Sequence, residues 1–167
     1  MLRNIIRISL LLSVFSYFVS CGFKPMYKFS ENSINLNSYS INIINESNVS
    51  RQIKEEIKKS FPSGPETVKE FIIDLDILEN LDPLITNADG TVSKYRIEIV
   101  MHFKVKAINA NETLINDVVR GFAEYTVETS EIESDDKKKR MIRSATSSAA
   151  QMMISKIQID TSITNDN

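Results

Sequence analysis

The run Lys94-Tyr95-Arg96-Ile97-Glu98-Ile99-Val100-Met101-His102-Phe103-Lys104-Val105-Lys106 decides the fold. Tyr95, Ile97, Ile99, Met101, Phe103 and Val105 recur at every second position, and Lys94, Arg96, Glu98, Val100, His102, Lys104 and Lys106 fill the places between. Successive side chains of a strand point to opposite faces, so this period predicts a long strand over about 92–108 with one apolar and one polar face. Residues 68–78 repeat the pattern, with Phe71, Ile73, Leu75 and Ile77 on one side and Glu70, Asp74 and Asp76 on the other. The two runs are expected to pair as a hairpin. A turn-rich connection over 79–91, holding Pro83 and Asp89-Gly90, joins them.

Working outward, Tyr39, Ile41 and Ile43 alternate with Ser40 and Asn42 and predict a short strand. Ser47 or Asn48 is expected to cap a helix on which Val49, Ile53, Ile57 and Phe61 form one apolar stripe. Its wet face carries Arg51, Lys54, Glu55, Lys58 and Lys59, with Glu55 and Lys59 spaced to pair. Pro62 and Pro65 stop it. Residues 113–128 read as a further strand, with Gly121 as a bulge. Ser130 with Glu133 resembles a capping box, and Ser134-Asp135-Asp136 offers a second start for the last helix. Along that helix Met141, Ala145, Ala149, Met153 and Ile157 recur every four residues, widened by Ile142 and Met152. Ser144, Ser147, Ser148 and Ala150 are small enough for close packing. The expectation is an α+β domain of order β-α-β-β-β-α. Two amphipathic helices pack on one face of a four-stranded mixed sheet, and the other face is polar.

The composition narrows the chemistry. The chain has 167 residues, with 20 Lys and Arg against 22 Asp and Glu, a net charge of -2. That balance argues against a strongly basic nucleic-acid binder and leaves room for a local basic patch; no nucleic-acid partner is expected. There are 23 Ile but only four Gly and four Pro, which leaves little material for a Gly-rich phosphate loop. One His and one Cys cannot build a His/Cys metal cluster or a disulfide within the chain. No enzyme activity, cofactor or metal is expected.

The first residues address the compartment. Arg3 and Arg7 precede the apolar run Ile8 to Val19, and no acid occurs before Glu31. A run of roughly 12 residues falls short of the 20 or so that a bilayer span needs, and it fits a secretory signal peptide. The residues Phe18-Val19-Ser20-Cys21 resemble a bacterial lipobox. That resemblance implies cleavage after residue 20 and lipid on Cys21 as the new N-terminus. Lipidation would also remove the unpaired thiol from an oxidising periplasm. Three acyl chains would anchor firmly, since two suffice. Gly22, in place of Asp, implies the outer membrane. The organisation is then signal peptide 1–20, lipidated Cys and tether 21–37, domain 38–159 and polar tail 160–167.

The opening Cys21-Gly22-Phe23-Lys24-Pro25-Met26-Tyr27 resembles that of the LptE (RlpB) family of lipopolysaccharide-assembly lipoproteins, in its alphaproteobacterial form. The body is similar too: the Ile41/Ile43 strand, a helix with Gln52-Ile53, an alternating hairpin, a strand ending Gly121-Phe122-Ala123-Glu124-Tyr125 and an Ala-rich last helix. The resemblance implies a periplasm-facing plug in the large outer-membrane barrel LptD, which it helps to assemble and to deliver lipopolysaccharide. The partners implied are that barrel, lipopolysaccharide and the membrane. Lys94, Arg96, Lys104 and Lys106 share one strand face, where they meet either lipopolysaccharide phosphates and acidic barrel groups or only solvent. Asp74 and Asp76 are placed to pair with them across the ladder. His102 and the two aspartates read as structural, and Met141, Met152 and Met153 as helix core. An alternative is an auxiliary outer-membrane lipoprotein of an ABC-type lipid or solute exporter.

Overall fold

The computed structural model describes residues 38–61, 69–109 and 112–164, with side chains to residue 159, all within the unit Ile34–Asn167. The expected signal peptide, Cys21, the tether and the helix stop at Pro62 and Pro65 lie outside the described residues. The elements are β1 (Tyr39–Ile43), α1 (Arg51–Ser60), β2 (Phe71–Thr86), β3 (Val92–Ala107), β4 (Thr113–Thr126) and α2 (Glu131–Thr164). The sheet order is β1-β2-β3-β4, with β1 parallel to β2 and the other pairs antiparallel. This is the mixed four-stranded α+β arrangement that the alternation predicts.

One core joins the parts. Ile97, Ile99, Met101 and Phe103 of β3 are fully buried, together with Ile73 and Leu75 of β2. Ile53 and Ile57 of α1 and Ala145, Ala149, Met153 and Ile157 of α2 enter the same cluster. The stripe of α2 starts only at Met141 and Ile142; before it, Ile132 is 77% exposed. Tyr39 stacks on Phe71 and Tyr95 on Tyr125, with ring centroids 4.8 and 5.5 Å apart.

Several sequence expectations are corrected. The connection over 79–91 is mostly strand. β2 runs on to Thr86, irregular only after Pro83, and the turn shrinks to residues 87–91 with Gly90 at φ +84°. Pro83 is tolerated because β1 ends at the level of Leu75, which leaves β2 the outer strand there. Ser50, not Ser47 or Asn48, precedes α1, because Glu46–Asn48 forms a 3₁₀ turn. Glu55 bonds to Arg51 at 2.7 Å and lies 3.6 Å from Arg143 of α2, while Lys59 turns to Glu56. At the last helix Ser130 caps, accepting the Glu133 N–H at 3.5 Å. Ser134 is used instead to tie back to Glu128, so the second start is not taken. No Gly or Pro follows Met141, and α2 continues to Thr164 through the start of the expected polar tail.

Gly121 is not a bulge. Its pairing with Ile99 is regular, and the one irregularity between β3 and β4 lies at Val105/Lys106. A Cβ at Gly121 would stand 1.9 Å from the Ala145 carbonyl oxygen and 2.9 Å from the Ala149 nitrogen. The glycine is there so that the backbone of α2 can touch the sheet. The close-packed small residues of α2 are Ala145, Thr146, Ala149 and Ala150, whereas Ser144 is exposed. Met152, expected in the core, is 48% exposed.

Candidate functional site

The uncovered sheet face carries Lys94, Arg96, Lys104 and Lys106, the four cations grouped on one strand face in the sequence. Its ladder rows run Asp82–Arg96–Glu124, Asn80–Glu98–Phe122, Leu78–Val100–Arg120, Asp76–His102–Val118 and Asp74–Lys104–Asn116. Period two in three adjacent strands puts these residues on one surface.

Most of the charge is already matched. Lys94 and Arg96 both reach Glu124, at 2.5 and 3.2 Å. Lys106 donates to Asp74 at 2.7 Å, and Asn42 of β1 donates to the same carboxylate at 2.8 Å. Arg120 and Asn80 donate to Glu98 at 2.7 and 3.0 Å. These bonds favour the charged carboxylates. Lys106 chiefly holds Asp74 below the usual carboxylate range, Asn80 and then Arg120 do so for Glu98, and Lys94 and then Arg96 for Glu124. Of the four candidate contact residues, Lys94, Arg96 and Lys106 are therefore engaged within the sheet. Lys104 is exposed and forms no ion pair among the described residues, although its charge also bears on Asp74. Asp76 faces His102 across the ladder. No group of three His, Cys, Asp or Glu among the described residues is placed to hold a metal ion.

The centre of the face differs from the polar surface expected. Leu78, Val100, Val118 and Phe122 form an apolar island between the rows of ion pairs. Val100 is 3% exposed although it lies on the uncovered side, while Leu78 and Phe122 are 48% and 52% exposed. The sequence signal was Val100 itself, the one apolar break in the polar half of the β3 alternation. Leu78 closes the expected strand 68–78 on its polar side and Phe122 sits next to the glycine read as a bulge, so the alternation alone does not join them to Val100. At the end of the sheet, Lys156 of α2 pairs with Asp117 of β4, an anchor that spacing alone does not reveal. Lys137 pairs with Glu128 and Lys139 with Asp135, so half of the basic tract 137–140 is balanced locally. No helix among the described residues is long and apolar enough to cross a membrane.

No family model and no curated protein sequence matches the chain. Solved structures do. A candidate lipoprotein from Caulobacter crescentus superposes with a TM-score of 0.59 at 9% identity, covering 79% of this chain and 94% of that one. Rare lipoprotein B from Shewanella oneidensis gives 0.52 at 13% identity, covering 77% and 98%. A minor lipoprotein from Acinetobacter baumannii gives 0.54 at 11% identity, covering 74% and 91%. At these identities the likeness concerns the fold: the chain has the fold of this group of bacterial lipoproteins.

Proposed function

We propose that the chain is an outer-membrane lipoprotein of the lipopolysaccharide-transport machinery, anchored through lipid on Cys21 and facing the periplasm. It seats in an LptD-type β-barrel, helps that barrel assemble, and assists insertion of lipopolysaccharide into the outer leaflet. The observation that carries this reading is the fold match over nearly the whole of rare lipoprotein B, the other name of the family that the opening Cys21-Gly22-Phe23 to Tyr27 resembles.

The physical argument is one of surfaces. A plug must present a rigid face to the polar interior of a barrel. The uncovered sheet face is rigid because a ladder on both sides holds β3, and most of its charges are paired before any partner arrives. A paired carboxylate and cation present little net field, so the barrel need not supply a counter-charge for each. The apolar island around Phe122 gives burial to drive docking, and Lys104 is the cation left to meet a phosphate. No covalent chemistry is required and no cofactor beyond the lipid. The anchor raises the local concentration of the domain at the barrel.

The test is affinity purification of the full-length, C-terminally tagged protein from detergent-extracted outer membranes of its source, with intact mass analysis. The expected result is a chain cleaved before Cys21 and carrying acyl chains, in stoichiometric complex with a large β-barrel. Recovery with an ABC-exporter subunit instead would favour the auxiliary-lipoprotein alternative, and Cys21→Ser should abolish the lipid mass.

A further inference from the structure

A second surface lies at the sheet edge. Between β1 and α1 runs a groove of about 260 Å³. Ile41 and Ile43 of the strand, Ile57 of the helix and Phe61 just past its end give it an apolar floor, and Lys54 and Lys58 stand on the helix wall. We propose that this groove takes an extended, acidic segment of the barrel partner as an added strand on β1. The inference rests on the barrel reading above and names where one contact is made.

Three observations support it. First, β1 is the outermost strand, and its backbone is half used. Ile44 donates its N–H to the Leu75 carbonyl at 2.9 Å, so the alternation of the strand turns the N–H and C=O of Ile41 and Ile43 away from β2. No described residue bonds them on that side. An acyl chain would cover the apolar floor and leave these groups unpaired; a peptide strand satisfies both. Second, the neighbouring edge is protected and this one is not. Where β1 ends, the Asn45 carboxamide takes over, bonding the Ile77 carbonyl at 2.8 Å and accepting its N–H at 3.3 Å. Beyond it the outer edge of β2 carries Glu79, Asp82 and Pro83, which discourage pairing. β1 has neither charge nor proline. Third, the rim is positive. Glu46 is its one acid and lies 3.7 Å from Lys54, while Lys58 is exposed and forms no ion pair among the described residues. The added strand should therefore bring a carboxylate to the helix side.

The experiment places a photo-crosslinking amino acid at Ile43 or Lys58 in the full-length protein in cells, and purifies the barrel complex separately as an independent readout. Crosslinks from both positions should fall on one stretch of the barrel that contains Asp or Glu. Lys54→Glu with Lys58→Glu should lower the yield from position 43 at least about tenfold, since like charge then opposes the strand. If the barrel co-purifies but the crosslinks fall on lipid or elsewhere on the barrel, the groove assignment is overturned and the functional reading stands. If no barrel co-purifies, both are overturned.

Discussion

The two faces of the sheet are built from the same three long strands in the same register, and they are organised in opposite ways. On the helix side, Ile97, Ile99, Met101 and Phe103 are fully buried among apolar neighbours, and what matters is volume. On the other side every second residue faces outward, and what matters is pairing: Glu124 with Lys94 and Arg96, Glu98 with Arg120, Asp74 with Lys106. Counting cations on a strand would suggest a strongly basic surface. Reading the cross-strand partners shows a nearly neutral one, interrupted by an apolar island and, among the described residues, by Lys104, Asp76 and Asp82 without ion pairs. A charge in a sheet acquires its role from the strand beside it.

That contrast can be broken from either side, and the covered face should give the larger effects. Phe103→Ala removes a fully buried ring where α2 and β3 meet the common core, and should cost about 3–5 kcal/mol in urea unfolding. Gly121→Ala should cost roughly 1–3 kcal/mol, at the top of that range, because the obstacle at 1.9 Å is helix backbone and cannot rotate away. A bulge role would predict a much smaller loss. Both variants are expected to lower the thermal midpoint by several degrees.

The outer face should respond to pH more than to truncation. Asp74, Glu98 and Glu124 are each held below the usual carboxylate range, chiefly by the side-chain bonds from Lys106, Asn80 and Lys94 respectively. Their folded pKa values lie below the unfolded ones, so the stability they contribute is complete above the ordinary carboxylate pKa of about 4 and is lost as pH falls through the lower folded values. Denaturant midpoints should fall on acidification through that window. The triple change Asp74→Asn, Glu98→Gln, Glu124→Gln should flatten the fall, and an unchanged acid slope would refute the pairing. The smallest effect belongs to Lys104→Ala, expected to move stability by no more than about 0.5 kcal/mol while weakening lipopolysaccharide binding by the full-length protein. Unaltered binding would return Lys104 to the solvated surface.

How much of this was legible follows from which interactions are local. The β3 alternation and the Val49, Ile53, Ile57, Phe61 stripe are periodicities of consecutive residues, and they located the strands, α1 and the common core. The boundary errors came from tertiary context. Pro83 reads as a turn until β1 is seen to stop at Leu75, which leaves that edge without a partner to disappoint. Gly121 reads as a bulge until α2 is seen to rest on it. The ion pairs join residues 22 positions apart for Glu98 with Arg120, 28 for Arg96 with Glu124 and 39 for Lys156 with Asp117, so only the tertiary fold reveals them. The groove between β1 and α1 is invisible for the same reason. Its strand and helix each read correctly alone, and the space between them is a property of neither.

The proposed function requires that the uncovered sheet face be the surface offered to the barrel. The most direct test is purification of full-length protein carrying Leu78→Glu and Phe122→Glu, both exposed on the apolar island, alongside its thermal melt. Barrel recovery should fall at least about tenfold, as for residues central to an interface, while the melting midpoint stays within about 2 °C of the parent. Recovery equal to the parent, with the domain still folded, would contradict it.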